Sequence, residues 1–419
     1  MIRKSLVNVA ALLSLTIASQ AFAAPEVEVL HFWTSGSEAA GLNELKVLLG
    51  KEGVSWKDSP VAGGTGGNMV QVLHSRIASG DAPAAVQMHA NQIAVWGAEK
   101  QLRDLDDIAR KGNWEQVVSP ELIPSLKSDG HWVAAPVDVH RSNWLWYNKK
   151  VFDKNGLAPP KNWDEFNKVA DKLQAAGVIP LALGGQPWQE LDLFESLVLG
   201  IGGPDFYTKA IVKQDEAALR SPTMIKVFDE LKVLRKYVDR GYPGREWNLA
   251  TTMVIQGKAG MQIMGDWAKG EMTLANQKAN VDYGCAPSPG TTGSYMWLID
   301  AFAFFKSSNP DVQAGQAAMA AGAVDKNFQE AFSLKKGSIP ARIDVSPAKF
   351  DECGKEAMAD RAQAQASHKA VPSLAHNAAT SEEKTGVFLD TVSSFFEGST
   401  LTSKDAVDRL VAGLKSVGN

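Results

Sequence analysis

Val27-Glu28-Val29-Leu30-His31-Phe32-Trp33 reads as a strand, and the elements after it decide the fold class. The loop Thr34-Ser35-Gly36-Ser37 leads into a helix carrying Leu42, Leu45, Leu48 and Leu49 at helical spacing. Val54 to Asp58 reads as a second strand. The glycine-rich turn Gly63 to Gly67 opens another helix, with Met69, Val72, Leu73 and Ile77 on one side, and Ala84 to His89 reads as a third strand. Strands alternating with helices imply an α/β fold, a mainly parallel sheet with helices on both faces.

The same style recurs downstream without a sequence repeat. Trp144 to Asn148 is extended, and Asn162-Trp163-Asp164-Glu165-Phe166 starts a helix after Pro159-Pro160. Val178 to Leu183, Met261 to Met264 and Asp300 to Phe305 read as strands. Ser221 to Arg240 reads as one long amphipathic helix, and the tail from Met358 as largely helical. Two α/β units in one chain create a cleft between them. Ligands of open α/β sheets sit beyond the carboxyl ends of strands, and pockets favour domain interfaces. Phe32-Trp33, Gln87-Met88-His89, Trp267 and Asp300 all stand at such strand ends.

Arg3 and Lys4, an apolar run from Val7 to Ala18, and Ala21-Phe22-Ala23 form the pattern of a secretory signal peptide cleaved after Ala23. The run is too short to span a bilayer. A lipid anchor needs a cysteine just after the signal, and Cys285 and Cys353 lie far downstream. An oxidising compartment permits those two to pair, which geometry alone decides. Cleavage removes two positive charges and takes the formal net charge from −4 to −6. Such a chain has no general attraction to nucleic acid or anionic lipid. Its twelve tryptophans offer flat apolar faces that each carry one N–H donor, which suits amphipathic ligands.

Enzyme motifs fail one after another. Ser333-Leu334-Lys335-Lys336 and Lys384-Thr385-Gly386 mimic two elements of penicillin-recognising enzymes, but the third, Ser-Asp-Asn, is absent between them. There is no Gly-x-Ser-x-Gly elbow and no His-Glu-x-x-His, and Gly63 to Gly67 lacks the Gly-Lys-Ser/Thr ending of a phosphate loop. The histidines show no close metal-ligand spacing, so neither metal nor cofactor is expected. Glycosidase chemistry stays open, because Glu38, Asp266 and Asp300 could supply its two carboxyl groups. The same acids would equally accept hydrogen bonds from the hydroxyls of a bound sugar.

Phe32-Trp33-Thr34-Ser35-Gly36-Ser37-Glu38, Pro83 to His89, Pro136-Val137-Asp138-Val139-His140-Arg141 and Trp144-Leu145-Trp146-Tyr147-Asn148 resemble blocks of the bacterial extracellular solute-binding proteins of family 1. So do Gly257 to Met261 with Gly265-Asp266-Trp267, and Gly337-Ser338-Ile339-Pro340-Ala341-Arg342. Within the family the chain looks most like periplasmic glucose- or glucose/mannose-binding proteins, and Gln186-Pro187-Trp188-Gln189 and His376 support that branch. Phe32 departs from the paired tryptophans common at this loop.

The resemblance implies a two-lobed hinge protein of the periplasm, monomeric, that hands a monosaccharide to the permease subunits of an ABC importer. The lobes would be residues 24–136 with a return segment 298–330, and 137–297 with a C-terminal segment 331–419. The binding residues it implies are Trp33, Glu38, Gln87, His89, Trp267, Asp300, Lys336 and His376. A pyranose has apolar faces for Trp33 and Trp267, and hydroxyls that Asp300, Glu38, Lys336, Gln87 and the histidines can satisfy. Each also has a plainer reading: the tryptophans suit a lobe core, Glu38 a helix start, and the histidines a structural hydrogen bond.

Overall fold

A computed structural model describes residues 25–63, 67–398 and 400–418. The expected signal peptide, residues 1–23, lies outside them. Among the described residues no helix is long and apolar enough to cross a membrane.

In chain order the strands are β1 (Glu26–His31), β2 (Ser55–Pro60), β3 (Ala85–Met88), a small hairpin of β4 (Lys127–Ser128) and β5 (His131–Trp132), β6 (Ala134–Arg141), β7 (Trp144–Asn148), β8 (Ile179–Leu181), β9 (Ala259–Ile263), β10 (Tyr283–Pro287), β11 (Tyr295–Phe304), β12 (Ile339–Pro340) and β13 (Ala370–Pro372). Among the described residues they build two main sheets. The first has the order β12-β6-β11-β3-β1-β2, with β13 added beside β11; the second has the order β10-β7-β9-β8. Two apolar cores accompany the sheets, the first also taking in Trp144, Trp146 and Tyr283 of the second sheet and the second taking in Met296 and Val371 of the first. The chain is therefore a two-lobed α/β protein.

The sheets are mixed rather than mainly parallel. β1 pairs in parallel with β2 and β3, but β11 runs antiparallel to both β3 and β6, and β7 antiparallel to β9 and β10. The cause is the route of the chain. It leaves the first sheet along β6 and returns along β11, so the two adjacent strands point opposite ways. Side-chain alternation reports which face is buried and carries no information on direction.

The crossings are tied together. Asn143, buried between β6 and β7, donates to Thr291 Oγ1 at 2.8 Å and accepts the Met296 N–H at 2.9 Å. Arg141 stacks over Trp144, 4.2 Å from its ring centroid, and ion-pairs with Asp360 at 2.7 Å. The expected lobe limits at 137 and 298 thus fall inside β6 and β11, both strands of the first sheet.

The segment from 331 onward also divides differently from the expectation. The Lys326–Lys336 helix packs on the Gly36–Lys51 helix, and β12 pairs with β6 in the first sheet. The helices Glu382–Phe396 and Ser403–Ser416 pack on the second lobe, against Pro187–Tyr207 and Pro222–Leu234 respectively. An amphipathic stripe shows that a helix is buried, and any apolar surface satisfies it.

Local signals set the helix ends. Ser35 caps the Gly36–Lys51 helix in a capping box with Glu38, and Asn162 caps Trp163–Ala175. Gly337, at φ +98°, ends Lys326–Lys336 in the left-handed conformation that glycine adopts freely. The long helix expected over Ser221 to Arg240 is Pro222–Leu234 followed by a 3-10 turn, Arg235–Tyr237. Cys285 on β10 and Cys353 on the Glu352–Ala366 helix form a disulfide, with Cα atoms 6.1 Å apart.

Candidate ligand-binding site

Helix starts converge where the lobes meet. From the first lobe come Trp33 in the loop before the Gly36–Lys51 helix, Glu38 in the first turn of that helix, and His89, the residue that begins Ala90–Ala98. From the second come Trp188, Trp247 and Trp267, each in the first turn of its helix. Helix N-termini point their free N–H groups at such a site, which favours oxygen lone pairs. Together with His140, Leu298, Asp300, Lys336 and His376 these residues line one cavity.

One wall is charged, and its charges are paired. Lys336 Nζ lies 3.2 Å from Glu38 Oε1, and Glu38 Oε2 accepts the N–H groups of Thr34 and Ser35, each at 3.0 Å. Burial works against the Lys336 charge, but Glu38, Asp300 and Asp138 outweigh it and hold the ammonium above its usual range. Asp300 Oδ1 accepts from Gln87 Nε2 at 2.9 Å and faces His89 Nε2 at 3.2 Å, while Oδ2 faces His140 Nε2 at 3.1 Å. Burial would raise this carboxyl; the hydrogen bonds and charges of His140 and His89 instead drive it well below the carboxylate range.

His140 sits at the centre of that wall. Its Nδ1 bonds Asp266 Oδ1, and its Nε2 lies 3.2 Å from Asp138 Oδ2 as well as against Asp300. Burial opposes its charge, yet Asp138 and Asp266 keep it well above the ordinary histidine range, as an imidazolium at neutral pH. His376 is the opposite case. Burial, then the charges of His89 and His140, push it well below that range, so it is a neutral ring that donates or accepts.

The other wall is aromatic. Trp267 lies 4.9 Å from the His376 ring and 6.3 Å from Trp188, centroid to centroid. The Trp33 and Trp267 indole N–H groups are buried without a protein partner. Trp33 also packs edge-on to Phe302 at 5.6 Å and against Phe332 at 5.2 Å, so it belongs to the first core and to the cavity at once.

Seven of the eight residues expected from the sequence line the cavity: Trp33, Glu38, His89, Trp267, Asp300, Lys336 and His376. Gln87 does not. Its carbonyl oxygen accepts the Phe32 N–H at 3.2 Å and its amide donates to Asp300, so it stands behind the wall as a support. His140, Trp188, Trp247 and Glu246 line the cavity without having been singled out. His140 and Trp188 lay inside stretches that carried the family resemblance, but a lone histidine or tryptophan there has no local signature of a binding role. The acids a glycosidase would need are engaged elsewhere: both oxygens of Asp266 face protein donors, His140 Nδ1 and the Arg141 N–H at 2.9 Å, and Glu38 is ion-paired.

Comparison with known proteins agrees with this architecture. The family model of the bacterial extracellular solute-binding proteins matches residues 37–333. A probable sugar-binding periplasmic protein of Brucella suis biovar 1 (strain 1330) is 46% identical over 390 residues, covering 93% of this chain and 92% of its own. One of the same description from Mesorhizobium japonicum is 45% identical over 414 residues, 99% of both chains. Among solved structures, the bacterial solute receptor AcbH, described as preferring β-D-galactopyranose exclusively, superimposes with a TM-score of 0.80 at 19% identity, over 94% of this chain and 99% of its own. A maltose-bound Thermotoga maritima protein reaches 0.76 at 17%, over 94% and 99%. At these identities the two structures speak for the fold. The family consists of binding proteins, not enzymes.

Proposed function

The chain belongs to the bacterial extracellular solute-binding proteins, and from that premise we propose that it is the periplasmic sugar-binding subunit of an ABC importer, with a monosaccharide, glucose first among candidates, as its ligand. The observation that carries the reading is the cavity itself: aromatic faces on one side, and on the other hydrogen-bonding groups held in place by each other. A pyranose presents apolar C–H faces and a rim of hydroxyls, and a desolvated hydroxyl left unpaired costs about 1–3 kcal/mol. Asp300 is held ionised and accepts from a hydroxyl; Lys336 and the two free indole N–H groups donate.

An uncharged ligand fits best, because the ionised groups of the wall already balance one another. The relatives at 45–46% identity are named for sugar binding in the periplasm, and a more distant one, 23% identical over 296 residues, is named a glucose-binding protein. Another, 25% identical, is named for xylose and arabinose, so a pentose is the second reading. The mature protein acts as a monomer, delivering its ligand to the permease subunits, with the ATPase subunits reached only through them.

The test is a thermal-shift panel of monosaccharides followed by titration calorimetry, since a ligand that binds only the folded state raises its melting temperature. Glucose is expected to bind with micromolar or tighter affinity, about −8 kcal/mol or better. That asks for about −0.7 kcal/mol per heavy atom, below the ceiling for very small ligands. No heat and no stabilisation with glucose, mannose, galactose or the pentoses overturns the proposal.

A further inference from the structure

Much of the cavity's lining is buried, with Trp33, Asp300 and Lys336 each 2% exposed and His376 3%, while Thr34 and Glu246 are exposed at its mouth. A ligand enters such a cavity only when the lobes part, so contacts that exist only when they meet govern how long it stays. One seam outside the cavity joins the two lobes. The second lobe's Trp267–Leu274 helix packs there against the Gly36–Lys51 and Lys326–Lys336 helices of the first.

Glu271 Oε1 accepts both the Ser37 N–H, at 2.9 Å, and the Ser37 hydroxyl, at 2.7 Å. The carboxylate thereby caps the N-terminus of the Gly36–Lys51 helix from the opposite lobe, where a negative charge is favoured. Beside it the backbones come close. A Cβ built on Gly270 would lie 2.4 Å from the Lys336 carbonyl oxygen, and one on Gly337 would lie 2.3 Å from the Asp266 carbonyl oxygen. Only glycine permits this approach. The seam is coupled to the ligand wall on both sides: Ser37 precedes Glu38, and Glu271 lies one helical turn beyond Trp267.

We propose that Glu271 and Ser37, with Gly270 and Gly337 allowing the backbones to meet, form a closure latch that sets the residence time of the ligand without touching it. The proposal rests on the sugar-binding reading and on lobes that open. Glu271→Ala removes the latch and Glu271→Gln restores an acceptor. Gly270→Ala is the sharper probe, because its two effects have opposite signs. In a helix interior alanine is favoured over glycine, so the sugar-free protein keeps or raises its melting temperature, while the new Cβ blocks closure.

The experiment uses the full mature chain, with stopped-flow tryptophan fluorescence for rates, calorimetry for affinity and small-angle scattering for lobe closure. Glu271→Ala is expected to raise the dissociation rate about 10-fold with the association rate unchanged, and Glu271→Gln to recover part of it. Gly270→Ala is expected to weaken binding at least about 10-fold, with the order of preference among sugars kept and a larger radius of gyration at saturating sugar. Wild-type rates, affinity and radius in both Glu271→Ala and Gly270→Ala overturn the latch. If the wild type binds no monosaccharide, the ligand reading falls, and scattering alone judges the latch: a radius identical in wild type and both variants overturns it.

Discussion

The two walls of the cavity are built on different principles. The charged wall, Glu38, His89, His140, Asp300 and Lys336, hangs on the first lobe, and its groups hold one another in place. The aromatic wall, Trp188, Trp247, Trp267 and His376, is carried by helix starts of the second lobe and the segment after β13, and its contacts are mainly ring against ring. The first wall orients its hydrogen-bonding atoms before any ligand arrives; the second supplies surface. Preorganised polar groups discriminate between ligands, because a mismatch leaves a buried group unpaired, whereas aromatic area adds affinity with little geometric demand.

Removing the hub of the charged wall has the largest expected effect. Asp300→Ala leaves His140, His89 and Gln87 facing a void and Lys336 with one fewer counter-charge. Breaking a buried ion pair costs about 3–5 kcal/mol of stability. Sugar binding is expected to disappear, and urea unfolding to show that loss; a stable variant with wild-type affinity would mean that the wall is not preorganised.

Tryptophan substitutions separate the walls. Trp267→Ala is expected to weaken sugar binding by ~2 kcal/mol or more with a smaller loss of folding stability, as for an anchor residue. Trp33→Ala is expected to cost about 3–5 kcal/mol of stability together with affinity, because Phe302 and Phe332 rest on the same ring. Paired denaturation and calorimetry check both, and a Trp33 variant as stable as wild type would place that residue on the ligand alone.

Neither cysteine of the disulfide lines the cavity. Replacing Cys285 and Cys353 with serine releases a closed loop of sequence separation 68 and is expected to cost about 2–4 kcal/mol of stability. Sugar affinity should stay within about twofold by calorimetry; a larger change would tie the bridge to lobe closure.

Proton dependence gives the smallest and most selective contrast. Burial raises the Glu190 carboxyl, in the second lobe, from 4.5 to about 7. Its folded pKa is above the unfolded one, so its contribution is fully present below about 4.5 and lost as pH rises through 7. Glu190→Gln should therefore exceed wild type in stability at about pH 8, with the gap closing towards about pH 5. His140 is held well above the ordinary histidine range and Asp300 well below the ordinary carboxylate range, so neither should make sugar affinity slope around neutral pH. A sloping affinity with a flat stability difference would reverse the assignment.

Much of the site is legible from local patterns. Trp33 and His89 stand out as polar or aromatic residues at strand ends, since α/β sheets bring those ends to one side; Asp300 reads as another strand end but lies in the middle of β11, which begins five residues earlier at Tyr295. Gln87 is misplaced by the same rule: it and His89 are two apart on one strand end, and only packing reveals that its amide turns inward to Phe32 and Asp300. Lys336 and His376 come from family resemblance, because a lysine at a helix end and a histidine in a loop carry no binding signature of their own. His140 goes unassigned, since its role depends on Asp266 and Asp300, both distant in the chain, as well as on Asp138 of its own strand.

The α/β class, the two units and the helix starts are written locally in the chain, because hydrophobic period and capping chemistry act over a few residues. The sequence also marks the aromatic and acidic residues that suit a sugar. Strand direction, lobe membership beyond residue 331, the pairing of the cysteines and the Ser37–Glu271 seam emerge only from the folded chain. Each of these joins residues far apart in the chain, and local propensity places no constraint on which distant partner a buried face, a thiol or a carboxylate will meet.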